Sequence, residues 1–220
     1  MKLDRKQLLL YAVTDRTWTG RQSLYEQVEL ALRGGATCVQ LREKELAPEA
    51  FLAEAKGMLL LCRHYGVPLI INDNPQIARL AGADGVHVGQ GDLSVREVRR
   101  IAGEHMIVGV SAHHVAEARA AWRDGADYLG AGAMFSTSTK TGTTHLDLKT
   151  LKDICRCVPI PVVAIGGIQA DNILSLAGSG IAGAAVVSAV FGAEDIEAAC
   201  RRLTALARQV TEPDRKEAVP

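Results

Sequence analysis

The sequence predicts one closed α/β barrel, eight parallel strands ringed by helices, on three observations. First, apolar runs of strand length, bounded by Gly, Pro, Asn or Asp, recur near 8–14, 38–42, 68–72, 85–89, 106–111, 128–134, 161–166 and 183–190. Second, segments of helical period lie between them, and strand alternating with helix means parallel strands joined by crossovers. Eight such units point to a (β/α)8 TIM barrel rather than an open sheet. Third, the chain echoes itself: Gly34-Gly35-Ala36, Gly82-Ala83-Asp84, Gly125-Ala126-Asp127 and Gly180-Ile181-Ala182 each close a helix just before an even-numbered strand. Glycine there supplies a left-handed helix cap.

Taken in order, the first strand leads to a helical segment at 23–33 and the second to one at 48–65. The link after the third strand, 75–80, is shorter. Helical segments at 95–101, 115–123 and 148–157 follow the fourth, fifth and sixth strands, and 196–210 closes the barrel. The stretch 172–193 carries no charge and is nominally long enough to span a bilayer. Its glycines and serines instead divide it into a short helix, a turn at 178–183 and a β-rich run from 184 to 190. No domain boundary is evident, so 1–220 reads as one catalytic barrel, with the polar, Pro-flanked 211–220 as a disordered tail.

Composition removes several function classes. The 220 residues are 48% apolar and 23% charged, ordinary globular usage that supplies a full core. Lys plus Arg number 25 and Asp plus Glu number 25, so no net field draws the chain to nucleic acid or to a membrane surface. Aromatics are 4%, too few for base-stacking platforms. The cysteines, Cys38, Cys62, Cys155, Cys157 and Cys200, form no C-x-x-C pair, and reduced thiols are expected. With no secretory signature at the N-terminus, the expected location is cytoplasmic. A homo-oligomer is allowed but not specified.

In a barrel of this kind the chemistry lies at the C-terminal ends of the strands. In Val39-Gln40-Leu41-Arg42-Glu43-Lys44, alternation puts Gln40, Arg42 and Lys44 on one face and Val39, Leu41 and Glu43 on the other. Leu41 belongs with the helices, so Arg42 and Lys44 face the barrel mouth, where a guanidinium fork and an ammonium suit phosphoryl oxygens. A salt bridge to nearby acids is the alternative. The third strand ends Asn72-Asp73 and the fourth leads to Gly89-Gln90-Gly91-Asp92, which brings Asp73 and Asp92 to one rim. Two carboxylates beside a phosphate group suit Mg²⁺, and helix capping is the competing reading.

After the sixth strand, Ser136-Thr137-Ser138-Thr139-Lys140-Thr141-Gly142 reads as a hydroxyl-rich lid or as a plain solvated linker. Gly166-Gly167 after the seventh strand and Val187-Ser188 in the eighth run read as a second phosphate pocket, where backbone amides approach the ligand. His87 should point inward as a packed, hydrogen-bonded histidine, and His114 should open a helix. There is no Ser-His-Asp or Cys-His constellation of diagnostic spacing and no Walker or dinucleotide fingerprint.

The set Gln40 to Lys44, Asn72-Asp73, Gly89-Gln90 with Asp92, Ser111-Ala112-His113, Thr137 to Lys140, Ile165-Gly166-Gly167 and Val187-Ser188 closely resembles the thiamine-phosphate synthase family. The resemblance implies that hydroxymethylpyrimidine diphosphate and thiazole phosphate condense to thiamine phosphate and pyrophosphate, with pyrophosphate leaving before the thiazole nitrogen attacks. It implies that Gln40, Leu41, Arg42, Glu43, Lys44, Asn72, Ser111 and Lys140 hold the pyrimidine diphosphate, with Arg42, Lys44, Ser111 and Lys140 contributing to catalysis. Mg²⁺ falls to Asp73 and Asp92, and the thiazole phosphate to Thr137, Ser138, Thr139, Gly167, Val187 and Ser188. Two prolines usual in the family appear here as Ala133 and Ser136. A thiazole tautomerase is the second candidate, but it would want an acid/base histidine near position 133, where this chain has alanine. A noncatalytic sensor of thiamine phosphates is the third.

Overall fold

The computed structural model describes residues 3–137 and 145–212. A 3₁₀ turn at Arg5–Leu8 leads into β1 (Leu10–Val13), a second 3₁₀ turn (Arg16–Trp18) and α1 (Leu24–Arg33). The chain then alternates β2 (Cys38–Leu41), α2 (Pro48–His64), β3 (Leu69–Asn72), α3 (Pro75–Ala81), β4 (Gly85–Val88) and α4 (Val95–Ala102). The second half runs β5 (Ile107–Ala112), α5 (Val115–Arg123), β6 (Tyr128–Ala131), α6 (Leu148–Cys157), β7 (Val162–Ile165), a 3₁₀ turn at Ile173–Leu176, β8 (Gly183–Val186), α7 (Ser188–Phe191) and α8 (Ile196–Thr211). The strands form one closed parallel barrel in chain order, β8 pairing back onto β1 through Tyr11 and Ala185.

Two cores follow from the period-two alternation of the strands. Outward residues such as Val39, Leu41, Ile71, Val86, Val108 and Leu129 pack beneath the helices. Inward residues, among them Leu8, Tyr11, Cys38, Ile70, Ile107, Tyr128 and Val163, fill the lumen. Gly35, Gly82, Gly125 and Gly180 all have positive φ, as the glycine echo predicts. The five cysteines are free. Among the described residues no helix is long and apolar enough to cross a membrane.

The structure corrects three boundaries. The run at 183–190 is strand only to Val186; after Val187 the chain turns into α7, which buries Val190 and Phe191. An apolar run has no period that separates a buried strand from a buried helical turn, so the switch was invisible. The sixth strand ends at Ala131 rather than near 134. Of the expected tail at 211–220, Thr211 is helical, since α8 continues through it and its hydroxyl donates to the Ala207 carbonyl at 3.0 Å; residues 213–220 lie outside the described residues.

Candidate active site

A cavity of about 180 Å³ opens at the C-terminal ends of the strands. Its lining includes Gln40, Arg42 and Lys44 from the β2 side, Asn72 and Asp73 from β3, His87, Gly89 and Asp92 from β4, and Ser111 from β5. Opposite stand Thr137, Gly166, Gly167, Val187 and Ser188. Leu41 and Glu43, which the resemblance places with the diphosphate, do not line it. Leu41 is fully buried beneath the helices, and Glu43 turns outward to accept a 2.8 Å hydrogen bond from Arg16 Nε. Strand alternation separates these two from Gln40, Arg42 and Lys44. Ser138, Thr139 and Lys140 lie outside the described residues.

Arg42 is held twice by the end of β1. Its backbone N–H donates to Thr14 Oγ1 at 2.9 Å, and its Nη1 donates to Asp15 Oδ2 at 2.9 Å. Thr14 is itself fully buried and donates from its backbone N–H to the Gln40 carbonyl. The structure therefore combines the two sequence readings of Arg42: it is salt-bridged and it faces the cavity. Asp15 also caps the Arg16–Trp18 turn through Oδ1. Its part in holding Arg42 could not be read from sequence, because a polar residue ending a strand before a turn is ordinary capping chemistry.

At the adjacent rim, helix capping does not account for Asp73 and Asp92. Asn74 caps α3 and Ser94 caps α4, each one or two residues further on. Asp73 sits at φ +59°, a left-handed conformation costly for a residue with a Cβ, and such strain clusters at functional sites. Its carboxyl is pushed up to about 6 by burial, by the charge of Asp92 and by a hydrogen bond to Asp92. Asp92 Oδ2 accepts from the Gly89 N–H at 2.7 Å. Crowded carboxylates of this kind form a donor set that a divalent cation relieves. Among the described residues no group of three or more His, Cys, Asp or Glu is placed to hold a metal, so further ligands would have to come from phosphate oxygens and water.

The opposite wall is backbone. Gly166 and Gly167 both have positive φ, and a Cβ built on Gly167 would collide with the carbonyl oxygens of Ser136 and Phe135. The glycine is thus demanded by the close approach of the chain's own β6–α6 segment, not by ligand access alone as the sequence suggested. Asn172 Nδ2 donates to the Gly167 carbonyl at 3.0 Å, and the Gln169 N–H donates to Asn172 Oδ1 at 2.8 Å, fixing the turn. The short α7 opens at Ser188, where barrels commonly bind phosphate.

His87 points inward as expected, bonded through both ring nitrogens to Tyr128 and Ser111 at 3.0 Å. His114 caps α5. His113 also lines the cavity, its ring held 3.0 Å from Glu117 Oε2. Position 133 is a buried alanine on the cavity wall, leaving no acid/base group there for a tautomerase.

Residues 10–190 match the family model described as TMP-TENI, thiamine monophosphate synthase. The chain belongs to this family. It is 46% identical to the thiamine-phosphate synthase of Clostridium tetani over 195 residues, covering 89% of this chain and 93% of that one. The thiamine-phosphate synthase of Ruminiclostridium cellulolyticum is 49% identical over 194 residues, covering 88% and 92%. A solved thiamine phosphate pyrophosphorylase from Pyrococcus furiosus superposes with a TM-score of 0.87 at 37% identity, covering 94% of this chain and 99% of that one. The family's activity is therefore carried by a chain whose cavity has a charged wall and a backbone wall, as its motifs implied.

Proposed function

We propose that this chain condenses hydroxymethylpyrimidine diphosphate with thiazole phosphate in this cavity, releasing pyrophosphate and thiamine phosphate. The observation that supports the residue assignment is that charged side chains line one side of a single cavity and glycine backbone with hydroxyl groups lines the other. Gln40, Arg42, Lys44, Asn72 and Ser111 would hold the pyrimidine diphosphate. Thr137, Gly167, Val187 and Ser188 would hold the thiazole phosphate. Lys140, Ser138 and Thr139 enter on the family resemblance alone. Asp73 and Asp92 would hold Mg²⁺, which when bound neutralises diphosphate charge.

In the proposed sequence the bond between the pyrimidine methylene carbon and the ester oxygen breaks first, its electron pair leaving with pyrophosphate. The thiazole nitrogen lone pair then bonds to the methylene cation. Arg42 and Lys44 serve best if their attraction grows as charge collects on the leaving oxygens. Val163, Ile165 and Ala185, which line the cavity, limit the water that would otherwise capture the cation. A cytoplasmic location and assembly with further copies remain parts of this proposal without bearing on the chemistry.

The test is pyrophosphate release by the purified chain with each substrate alone, with both, and with both plus Mg²⁺. Release that requires both substrates and the metal is the expected result. Isomerisation of a single thiazole substrate without metal would instead make it a tautomerase, and binding without turnover a sensor.

A further inference from the structure

Five side chains from five strands cross the barrel lumen as one hydrogen-bonded line. Gln40 Nε2 lies 2.8 Å from Tyr11 Oη, which lies 2.8 Å from Tyr128 Oη. Tyr128 Oη lies 3.0 Å from His87 Nδ1, and His87 Nε2 lies 3.0 Å from Ser111 Oγ. The line fits because two neighbours are glycines: a Cβ on Gly109 would overlap the Tyr128 ring, and one on Gly130 would come within 3.1 Å of His87 Cε1.

An amide nitrogen has protons to give and no lone pair to offer. Tyr11 Oη therefore accepts from Gln40, and of the two partners beside it, Tyr128 Oη at 2.8 Å and the Cys38 thiol, the phenol oxygen is the stronger acceptor and takes its single proton. Both phenols keep that proton, since burial is the main cause raising each well above the ordinary range. Tyr128 passes its proton toward His87 Nδ1, and a neutral imidazole that accepts at Nδ1 carries its hydrogen on Nε2. Ser111 Oγ then accepts from His87, leaving the serine's own hydrogen for the cavity.

We infer that Gln40, Tyr11, Tyr128 and His87 form a one-way relay that fixes His87 as the Nε2–H tautomer and makes the Ser111 hydroxyl a donor toward an anionic ligand oxygen. Tyr11, Tyr128 and His87 are positioning residues in this scheme, and Ser111 is the group that touches substrate. The ligand side of the inference rests on the function proposed above; the tautomer does not. Were the Gln40 amide turned over, every bond in the line would reverse, His87 would carry its hydrogen on Nδ1, and Ser111 would become an acceptor that repels a phosphate oxygen.

The test has a spectroscopic and a kinetic arm. The chain has six histidines, and ¹⁵N-histidine NMR of the ligand-free protein at neutral pH, with His87 assigned by loss of its signals in His87→Gln, reads the tautomer from the two-bond proton–nitrogen pattern. A neutral Nε2–H ring is expected in the wild type. Tyr128→Phe should give a mixture of tautomers, and Tyr11→Phe a smaller change of the same sign. An Nδ1–H ring or an imidazolium in the wild type overturns the relay.

In the kinetic arm, Tyr128→Phe should lower kcat for pyrophosphate release about tenfold with KM nearly unchanged, the pattern of a donor felt mainly in the transition state. Placed on Ser111→Ala, the same substitution should cost nothing further, because the relay acts only through Ser111. Equal losses in both backgrounds mean Tyr128 is merely structural and overturn the inference. If the wild type shows the Nε2–H ring yet releases no pyrophosphate from the substrate pair, the assigned reaction fails while the relay stands.

Discussion

The two walls of the cavity are built by different means, and under the proposed assignment each meets an anion in its own way. On the β2–β4 side the charge is carried by side chains: Arg42 and Lys44 beside Asp73 and Asp92, with Asp15 holding Arg42 from behind at 2.9 Å. On the β7–β8 side the lining is Gly166, Gly167, Val187 and Ser188, and the polar groups offered are mostly backbone and hydroxyl. Full charges held on side chains gain the most attraction as charge collects on an oxygen, which suits a leaving diphosphate. A backbone wall is fixed by the fold, which suits a phosphate that only needs to be kept in place. The charged wall should therefore govern kcat and the backbone wall KM for one substrate.

The largest expected effect comes from breaking the charged wall. Arg42→Ala should lower kcat/KM for the diphosphate substrate about a thousandfold, and Arg42→Lys should recover little, since a point charge cannot serve Asp15 and a phosphate with one planar fork. A loss confined to KM for the thiazole substrate in steady-state kinetics would sink the division of labour. Next in size, Asp92→Asn should reduce turnover by roughly a hundredfold and raise the Mg²⁺ needed for half-maximal rate. Unchanged activity at limiting Mg²⁺ would remove Asp92 from the metal reading.

The backbone wall gives a smaller and more selective effect. Gly167→Ala forces a left-handed residue against the Ser136 and Phe135 carbonyls. About a tenfold rise in KM for thiazole phosphate is expected, with diphosphate binding spared and a lower Tm from local strain. Calorimetric titration with each substrate separates the two, and an equal loss for both would show that the walls are not independent.

The smallest effect sharpens the comparison by testing a residue outside both walls. Glu43 shares Arg16 with Glu54, and the Glu54 carboxyl is raised by burial and by the charge of Glu43. A carboxyl raised on folding favours the fold in acid, and that contribution fades as pH rises through its folded value. Glu43→Gln removes the repulsion. Activity should stay within about twofold, and the loss of Tm between mildly acidic and neutral pH should be smaller than in the wild type. A large rise in KM for the diphosphate would return Glu43 to the substrate set.

Much of the site was legible because barrels place function at strand ends and strands alternate with period two. Gln40, Arg42 and Lys44 could be assigned to one face from spacing alone, and Gly166-Gly167 marked a close approach. The same alternation argues against Leu41 and Glu43, which only the family likeness adds and which the fold turns away. Asp73 and Asp92 were legible as a pair, but whether they capped helices was not, because Asn74 and Ser94 cap equally well and only the observed bonds choose.

By itself, then, the sequence determined the strand count, the alternation with helices, the left-handed caps and the residue types at the mouth. These are local or periodic properties, set by a few neighbouring residues and by which side of a strand is apolar. The tertiary structure alone decided which side chains of different strands, in the lumen and at its rim, are partners. Tyr11 meets Tyr128 over 117 positions, Gln40 reaches Tyr11 over 29, and Asp15 reaches Arg42 over 27. Such pairs depend on barrel closure and strand register, which bring distant inward residues within hydrogen-bond reach while leaving no period in the chain to announce them.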